Sequence, residues 1–385
     1  MLCKILKAVA FFLAHALLAG AIVGGYYYFG IIHNPKRTSF SHVIDIPKPS
    51  ESAVLTEPSK EPVPGTESTK PEPTSEGQTD ETTTESDPEK VTQEPTTEEP
   101  TTAEPRKNIE YLAWTEKFID KFTEEVVKTE NSYSDQHVNV TITKGEDGEG
   151  ERKVTYYVAD IYVAGVEYFR SALYYNDIGN IENKTAEQIS QWNPSNLLVT
   201  NGDYAFYNQQ GMVVRNGQIL CDNFDYSDLL VMQYDGTMKI VPANTYTVDQ
   251  AIADSAWQVW AFGPSLLRED GSAKTDTAEY SMTSTNQYGS LSYLAQDHPR
   301  TAIGYYEPGH YCMVVIDGRQ PGYSRGLSFL EMSVLFEDLG CKIGYNLDGG
   351  GSSQMIFDGS YVNQELGRAV PDFITVDIDP PERRK

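Results

Sequence analysis

Residues 344–358 read GYNLDGGGSSQMIFD, which is the most informative stretch of the chain. An apolar, strand-like run stops at Asp348, three glycines and two serines follow, and a second strand-like run resumes at residues 355–357. Glycine adopts backbone angles that other residues avoid, and it lets a ligand approach the chain closely. Successive N–H groups in such a turn can bind an anion, with the Ser352 and Ser353 hydroxyls as additional donors. The stretch therefore predicts an oxyanion site.

The same composition also fits a glycine-rich hairpin with a polar tip. A Walker loop is excluded, because no Gly-Lys-Ser or Gly-Lys-Thr follows and the next segment is typical of a strand. The Asp348 carboxylate would lie close to a bound anion, which is unfavourable unless the carboxylate takes part in the chemistry.

The N-terminal region predicts a membrane anchor. Residues 8–32 contain no Asp, Glu, Lys or Arg and are long enough to cross a hydrocarbon core of about 30 Å as a helix. This run is longer than the apolar core of a cleavable signal peptide, which has about 7–15 residues. We expect an uncleaved anchor with residues 1–7 in the cytoplasm and the rest of the chain outside; cleavage near Gly20 is the alternative.

A low-complexity segment follows the apolar run. Residues 33–107 are rich in Pro, Thr, Glu and Ser, and from residue 47 onward they have almost no apolar side chains. Such a segment buries too little apolar surface to offset its ordering entropy. It is expected to be a disordered stalk.

The charge of the chain excludes one class of partner. The net charge is −26, and subtracting −10 for residues 48–106 and +3 for residues 1–47 leaves −19 on residues 107–385. Proteins bind nucleic acid chiefly by neutralising phosphates with cationic side chains. We therefore expect no nucleic-acid partner, and the acidity is explained by solubility.

The remaining residues predict an α+β fold. Apolar residues at spacings of three, four and seven predict an amphipathic helix over residues 108–130. Residues 131–385 are expected to form one domain with a large mixed β-sheet and flanking helices at 186–191 and 328–339. The strand candidates are HVNVTIT, KVTYYVADIYVAG, NLLVTNGDYAFY, GMVVRNGQIL, AWQVWAFGPSLL, RTAIGYYEPG, YCMVVIDGR and FITVDID.

The cysteines indicate no disulfide framework. Cys3 precedes the apolar run, which leaves three cysteines in the domain: Cys221, Cys312 and Cys341. An odd number cannot all pair, and apolar neighbours are typical of buried free thiols. No Cys/His pattern resembles a zinc site.

Polar clusters follow or interrupt several strand candidates. They are Asn201-Gly202-Asp203-Tyr204, His298-Pro299-Arg300-Thr301, Asp317-Gly318-Arg319, and Asp348 with its glycines. Two arginines can hold a phosphate or a carboxylate, and carboxylates can act as general acids or bases. Taken singly, each cluster is explained by a turn or a surface ion pair.

Taken together, these motifs resemble the phosphodiester glycosidase family. The strings HPRTAIGYYEPG, VVIDGRQPGYSRGLS, EDLGC and NLDGGGSSQM occur in the order and spacing of that family. The similarity extends over about residues 154–378 and includes VADIYV, NGDYAFY, GPSLL and a final Arg368 followed by Asp372 and Phe373. The N-terminal anchor and the lack of a Cys-rich C-terminal module are similar to bacterial members.

The resemblance implies hydrolysis of a sugar linked through its anomeric oxygen to a phosphodiester. The site residues that it implies are Asn201, Gly202, Asp203, His298, Arg300, Asp317, Arg319, Asp348, Gly349, Gly350, Gly351, Ser352 and Ser353. The expected partner is a phosphate-linked glycan, and the oligomeric state is not indicated.

Physical chemistry then suggests roles for these residues. Arg300 and the donors of residues 349–353 would hold the departing phosphate. Asp348 or Asp203 would stabilise an oxocarbenium-like centre or activate water, and Asp317 is the further catalytic candidate. Arg319 either contacts the substrate or anchors Asp317. A divalent cation, Ca²⁺ or Mg²⁺, on Asp203 or Asp317 is compatible with these residues but not required.

Three functions fit this interpretation. The first is an extracytoplasmic glycosidase that acts on a phosphate-linked glycan of the cell envelope, such as an exopolysaccharide. The second is a phosphodiesterase that cleaves the P–O bond of the same substrate. The third is a non-catalytic module that binds anionic glycans.

Overall fold

Runs rich in β-branched and aromatic residues form strands through most of the domain. The computed structural model describes residues 38–45, 114–173, 182–204, 211–280, 291–364 and 368–380. The strands of these residues are β1 (Thr38–Asp45), β2 (Val127–Lys128), β3 (Ser132–Ser134), β4 (Val138–Asp147), β5 (Val154–Val163), β6 (Phe169–Leu173), β7 (Asn196–Asn201), β8 (Met212–Arg215), β9 (Gln218–Asp222), β10 (Leu229–Gln233), β11 (Met238–Val241), β12 (Ala256–Trp260), β13 (Arg300–Glu307), β14 (His310–Ile316), β15 (Ile343–Asn346), β16 (Met355–Phe357), β17 (Ser360–Tyr361) and β18 (Asp372–Asp377). The α-helices are α1 (Trp114–Lys117), α2 (Ala186–Trp192), α3 (Val248–Ala253), α4 (Leu291–Leu294) and α5 (Phe329–Asp338).

The strands form three sheets. A 7-stranded sheet has the order β15-β13-β14-β5-β4-β3-β2, a 6-stranded sheet has the order β1-β9-β8-β12-β10-β11, and a 5-stranded sheet has the order β17-β16-β7-β18-β6. The described domain is mostly β with a few helices. The expected single large sheet is wrong, because the strands are divided among three sheets. The expected mixed pairing is also wrong, because every pairing between the named strands is antiparallel.

Short turns explain the antiparallel order. Antiparallel neighbours can be joined by a tight hairpin, whereas parallel neighbours need a long crossover. Asn216 and Gly217 both have positive φ, at 52° and 72°, and connect β8 to β9. An Asn-Gly pair is the usual sequence for such a turn.

The 7-stranded sheet lies between two apolar clusters. On β14, Tyr311 and Met313 belong to the larger cluster, while Cys312 and Val314 on the opposite face belong to the other. Helix α5 covers this second face and buries Phe336 completely. Its start is a capping box in which the Ser328 hydroxyl accepts from the Glu331 N–H, so the helix predicted over residues 328–339 is confirmed.

Two predictions about the region before the domain are wrong where the structure describes it. Residues 114–130 form one turn of helix α1, a 3₁₀ turn at Ile119–Lys121 and strand β2 instead of a long helix. Ile119 and Val126 of the predicted apolar stripe are 69% and 62% exposed, so these two side chains cover no core. Residues 38–45, assigned to the stalk, form β1, which pairs with the free edge of β9.

The predicted anchor over residues 8–32 and most of the stalk lie outside the described residues. Among the residues that are described, no helix is both long and apolar enough to span a membrane. Cys221, Cys312 and Cys341 are free and buried, which was predicted for Cys312 and Cys341 from their apolar contexts.

The register brings the polar clusters to one edge. Arg300 at the start of β13 pairs with Ile316 at the end of β14, and Ala302 pairs with Asn346 at the end of β15. The β7 end joins them because the Asn201 side-chain amide donates to the Asp348 carbonyl at 2.7 Å. The four clusters found in the sequence therefore meet.

Candidate active site

Asp348 is the buried acid of this edge. It is 8% exposed, and its Oδ2 accepts from the Ser352 hydroxyl and from Arg368 Nη2, the latter at 2.9 Å. Arg368 Nε also donates to Ser352 Oγ at 2.8 Å, which closes a three-residue ring. Burial raises the pKa of Asp348 above its usual range, although Ser352 and Arg368 oppose that rise.

Two guanidinium groups flank the glycines. A Cβ placed on Gly350 would lie 3.3 Å from both Nη atoms of Arg319, and one placed on Gly351 would lie 3.5 Å from Cδ of Arg368. Arg319 is exposed, and the Arg368 side chain is 45% exposed. The glycines thus leave two solvent-accessible cations close to the chain beside Asp348, an arrangement suited to an anionic ligand.

The expected nest of backbone N–H groups is only partly available. The N–H groups of Gly350, Ser352 and Ser353 donate to the carbonyls of Pro299, Gly349 and Gly350, respectively. These N–H groups donate within a short 3₁₀ turn, Gly350–Ser352, and to the residue before β13, so they are not available to a ligand. The anion-binding donors of the loop are therefore chiefly the flanking arginines.

The Ser353 hydroxyl is fully buried and has no hydrogen-bond partner among the described residues. It differs in this respect from Ser352, whose hydroxyl completes the ring with Asp348 and Arg368.

His298 lies beside Arg319. Its Nδ1 accepts from Arg319 Nε at 3.3 Å and from Nη2 at 3.2 Å. Burial, together with the neighbouring arginines, lowers the pKa of His298 to about 4, so the ring is neutral at pH 7. With Nδ1 accepting, the proton lies on Nε2, which is buried without a partner among the described residues. Arg319 thus contacts His298 and does not anchor Asp317.

Asp203 lies in a buried ion triad and not in the open site. Its Oδ1 accepts from Arg215 at 2.6 Å, and its Oδ2 accepts from the Ala261 N–H at 2.9 Å. Arg215 also donates twice to Asp372, at 2.9 and 3.1 Å, and all three side chains are at most 2% exposed. Burial raises the pKa of Asp372 to about 7. Both oxygens of Asp203 already have partners within the core.

Arg300 is also buried, at 2% exposure. Its Nε donates to the Leu327 carbonyl at 3.0 Å and its Nη2 to the Gln296 carbonyl at 2.9 Å. The guanidinium carbon lies 4.3 Å from the centroid of the Phe329 ring, and burial lowers the pKa of Arg300 to about 10. In this arrangement Arg300 holds the chain around the site and presents little of its charge to solvent.

Asp317 is fully buried and connects two parts of the edge. It accepts from the Tyr323 hydroxyl and from Asn363 Nδ2, each at 3.0 Å. Asn363 also donates to the Ser353 carbonyl at 3.2 Å. Burial raises the pKa of Asp317, and its contacts support the loop from behind.

Asn201 and Gly202 position the loop. Asn201 Oδ1 accepts from the Thr301 hydroxyl at 2.8 Å and from the Gln354 N–H at 3.1 Å. The Asp348 N–H donates to the Gly202 carbonyl at 3.3 Å, and a Cβ on Gly202 would lie 2.3 Å from Asp372 Oδ2. A side chain at residue 202 would push the triad and the loop apart.

Arg368 is a site residue that was not predicted from the sequence. It lies 20 residues after Asp348, although the family motifs include it as the last charged residue before the final strand. Its guanidinium carbon also lies 5.6 Å from the centroid of the Tyr204 ring.

Asp203 and Asp317, the two acids considered for a cation, are both held by protein donors. The oxygens of Asp203 and Asp317 accept hydrogen bonds from protein donors, as described above, and a cation needs such oxygens as ligands. In the described part of the chain, no cluster of three or more His, Cys, Asp or Glu side chains is placed to hold a metal.

Comparison with known families agrees with this geometry. Residues 194–377 match the family model described as phosphodiester glycosidase. Over this segment the chain is similar to phosphodiester glycosidases. The model spans β7 to β18 and therefore includes Asp348, Arg319 and Arg368. The resemblance found in the sequence is confirmed over this range.

Two relatives illustrate the similarity. The catalytic domain of zebrafish N-acetylglucosamine-1-phosphodiester alpha-N-acetylglucosaminidase, auto-inhibited by its pro-peptide, has a TM-score of 0.50 and 16% identity. That alignment covers 63% of this chain and 84% of the zebrafish chain, and it shows a shared fold. The SPbeta prophage-derived protein YomE of Bacillus subtilis is 31% identical over 173 residues, which are 43% of this chain. The match spans 25% of the length of YomE.

Proposed function

We propose that the domain hydrolyses a glycosyl phosphodiester at the bond between the anomeric carbon and oxygen. The observation that carries this proposal is the pair of exposed arginines on either side of Gly350 and Gly351, one of which contacts the buried Asp348 carboxyl group. The family of residues 194–377 supports the same class of reaction.

The arginines bind the phosphate. A phosphodiester carries one negative charge, and the phosphomonoester that leaves gains a second, whose conjugate acid has a pKa of about 6. The leaving group therefore needs stabilisation of its charge more than it needs a strong acid. Arg319 and Arg368 supply fixed positive charge where this second negative charge develops.

Asp348 acts on the sugar side. Water attacks the anomeric carbon, the anomeric C–O bond breaks, and its electron pair leaves with the phosphomonoester. The water proton passes to the Asp348 carboxylate, whose pKa burial has raised toward the range in which a base is useful. Ser352 and Arg368 fix the orientation of this carboxylate.

The other predicted residues position the site. Arg300, Asp317 and Asn201 hold the residues around the loop through buried hydrogen bonds. His298 orients Arg319, and Asp203 belongs to the structural triad. Asp348 is therefore the single carboxylate to which we assign a chemical step.

We further propose that the substrate is a phosphate-linked glycan of the cell envelope and that the domain works outside the membrane. The support is the sequence alone: the uncharged run of residues 8–32 and the Pro/Thr/Glu-rich segment after it suit a tethered enzyme with a polymeric substrate.

An oxygen-18 experiment tests the chemistry. The full-length protein is incubated in H₂¹⁸O with methyl phosphodiesters of α-linked N-acetylglucosamine, glucose, galactose and mannose, and the products are analysed by mass spectrometry. Label in the free sugar is expected. Label in the phosphate would instead establish P–O cleavage, and no product from any of the four would contradict a glycosidase and favour a binding module.

A further inference from the structure

A groove of about 710 Å³ lies against the 5-stranded sheet, away from the candidate active site. It borders β6, the edge strand of that sheet, and reaches Asn196 at the start of β7. The active site begins at Asn201, at the other end of β7. Strands advance by about 3.3 Å per residue, so these two residues are roughly 16 Å apart. The groove lining includes Arg215 of the buried triad but none of Arg319, Asp348 and Arg368, so the groove is distinct from the candidate active site.

Trp192 forms one wall of this groove. It is the last residue of α2, and it is 57% exposed, whereas Trp257 and Trp260 are 2% and 0% exposed. A second depression, of about 200 Å³, lies against the same indole and is lined by Lys184, Gln188 and Gln191. Tryptophan is highly buried on average, so a large exposed indole between two polar depressions indicates a contact surface.

The floor of the groove holds a carboxylate with an unused acceptor. Asp377 is 3% exposed, and its Oδ1 has no hydrogen-bond partner among the described residues. Its Oδ2 lies 3.7 Å from Nε of Arg170, which is too far for a hydrogen bond. Burial raises the pKa of Asp377 to about 6, although a hydrogen bond from the Thr375 side chain and the charge of Arg170 oppose that rise. A buried acceptor without a donor is unfavourable, and a ligand hydroxyl would satisfy it.

These features select a ligand class. The groove lining combines an indole face with polar and charged side chains: Arg170, Trp192, Gln218, Thr375, Asp377 and Asp379. The two arginines of the lining, Arg170 and Arg215, already lie beside the carboxylates of Asp377 and Asp372, so they are poorly placed to attract a phosphorylated ligand such as a nucleotide. A sugar ring has C–H groups on its faces and hydroxyls around its rim, so it can stack on the indole and donate to Asp377. The volume lies within the range of about 300–1,000 Å³ typical of small-molecule sites.

We propose that this groove, with Trp192 as its platform and Asp377 as its polar anchor, is a second carbohydrate-binding site that takes an uncharged sugar residue of a glycan. It would hold one part of a polymer while another part enters the active site. The proposal depends on the groove alone and not on which bond the active site cleaves.

The experiment uses the full-length protein and neutral hexasaccharides of glucose, N-acetylglucosamine, mannose and galactose. Trp192 is the most exposed of the tryptophans, so its quenching by acrylamide reports on the groove. At least one hexasaccharide is expected to reduce this quenching. Asp377→Asn keeps the indole and is expected to weaken that binding at least fivefold.

A second readout does not need the indole. Saturation-transfer NMR compares Trp192→Ala with Phe224→Ala, a matched change at an aromatic residue that is 50% exposed and lines neither depression. Loss of the hexasaccharide signal is expected in Trp192→Ala only. An equal signal in both variants would overturn the proposal, as would no binding by any hexasaccharide to the unmodified protein.

Asp348→Asn separates the groove from the active site. Hexasaccharide binding is expected to be unchanged in this variant, whatever its effect on turnover. Binding that is lost in Asp348→Asn and retained in Trp192→Ala would place the sugar in the active site and overturn the proposal.

Discussion

Asp348 and Asp203 stand in matching positions but in different surroundings. Each is the second residue after a strand that ends in asparagine, at Asn346 and Asn201, and the two strand ends touch through the Asp348 N–H and the Gly202 carbonyl. The arginine that pairs with Asp348 is 45% exposed, whereas the one that pairs with Asp203 is 2% exposed. The exposure of the partner therefore decides which acid can meet a substrate.

The largest expected effect is that of Asp348→Asn on turnover. Asparagine keeps the shape but cannot take a proton from water, so we expect kcat/KM to fall by at least about 10³-fold, a loss of about 4 kcal/mol in transition-state stabilisation. Steady-state kinetics on the diester that the unmodified protein cleaves fastest measure this loss. Asp358→Asn, the same change at an exposed acid with positive φ, is the control and should change kcat/KM less than twofold.

The stability of Asp348→Asn should not fall together with its turnover. Because burial raises the folded-state pKa of Asp348, this carboxyl group favours the folded state at low pH, and that advantage is lost as pH rises through the raised pKa. At pH 7 the free energy of unfolding of Asp348→Asn should equal or exceed that of the unmodified protein. A clear loss of stability there would mean that Asp348 is structural.

Asp203→Asn is expected to lose stability and to keep its turnover. Removing one partner of a buried ion network leaves charge poorly compensated, and we expect a loss of about 3 kcal/mol in the free energy of unfolding. Urea unfolding measures this loss. Turnover per folded molecule, assayed well below the unfolding midpoint, should stay within threefold of normal. A 10²-fold loss of turnover in the folded protein would contradict the assignment of Asp203 to the core.

Arg368→Gln is expected to change the pH dependence of kcat/KM. Arg368 helps to keep Asp348 ionised, so its removal should raise the pKa of Asp348 further. Since the ionised form acts as the base, kcat/KM falls as pH drops through that pKa, and this acid limb should move to higher pH in Arg368→Gln. We also expect a tenfold to hundredfold lower kcat/KM at the optimum.

The pH profile of kcat/KM measures both effects. Lys128→Gln, which removes an exposed cation paired with Asp358, should leave the profile unchanged. An acid limb that does not move in Arg368→Gln would show that another group titrates.

The smallest effect concerns the loop backbone. Gly350 and Gly340 have φ of +62° and +77°, so alanine at either position should cost about 1 kcal/mol in stability. Only the Gly350→Ala methyl group meets a site residue, at 3.3 Å from Arg319, whereas nothing lies within 4 Å of the corresponding position at Gly340. Urea unfolding should give similar losses for both variants, and kinetics should show a severalfold lower kcat/KM for Gly350→Ala alone. Equal kinetics would remove Arg319 from the site.

The sequence predicted the local features of this fold well. Period-two patterns located most strands, and the helix predicted over residues 328–339 was found as α5. The glycine-rich stretch after Asp348 lies where the polar clusters meet. These signals depend on neighbouring residues, which a sequence shows directly.

Long-range pairing could not be read in the same way. In the buried triad, Asp203 contacts Arg215, which is 12 residues away in the sequence, and Asp372, which is 169 residues away. Nothing in the Asn201-Gly202-Asp203 motif shows whether this carboxylate is buried or accessible to a substrate. The division into three sheets likewise depends on pairings such as β1 with β9. Over the described part of residues 108–130 the helix prediction failed, because Ile119 and Val126 are exposed and Phe118 is buried instead.

The most direct test of the account is diester binding without turnover. Asp348→Asn is titrated with the diester that the unmodified protein cleaves, and the same titration is made after adding Arg319→Ala or Arg368→Ala to that variant. The account predicts that Asp348→Asn binds the diester and that each added change raises Kd at least tenfold. Equal Kd values in all three proteins would contradict the claim that the flanking arginines hold the phosphate.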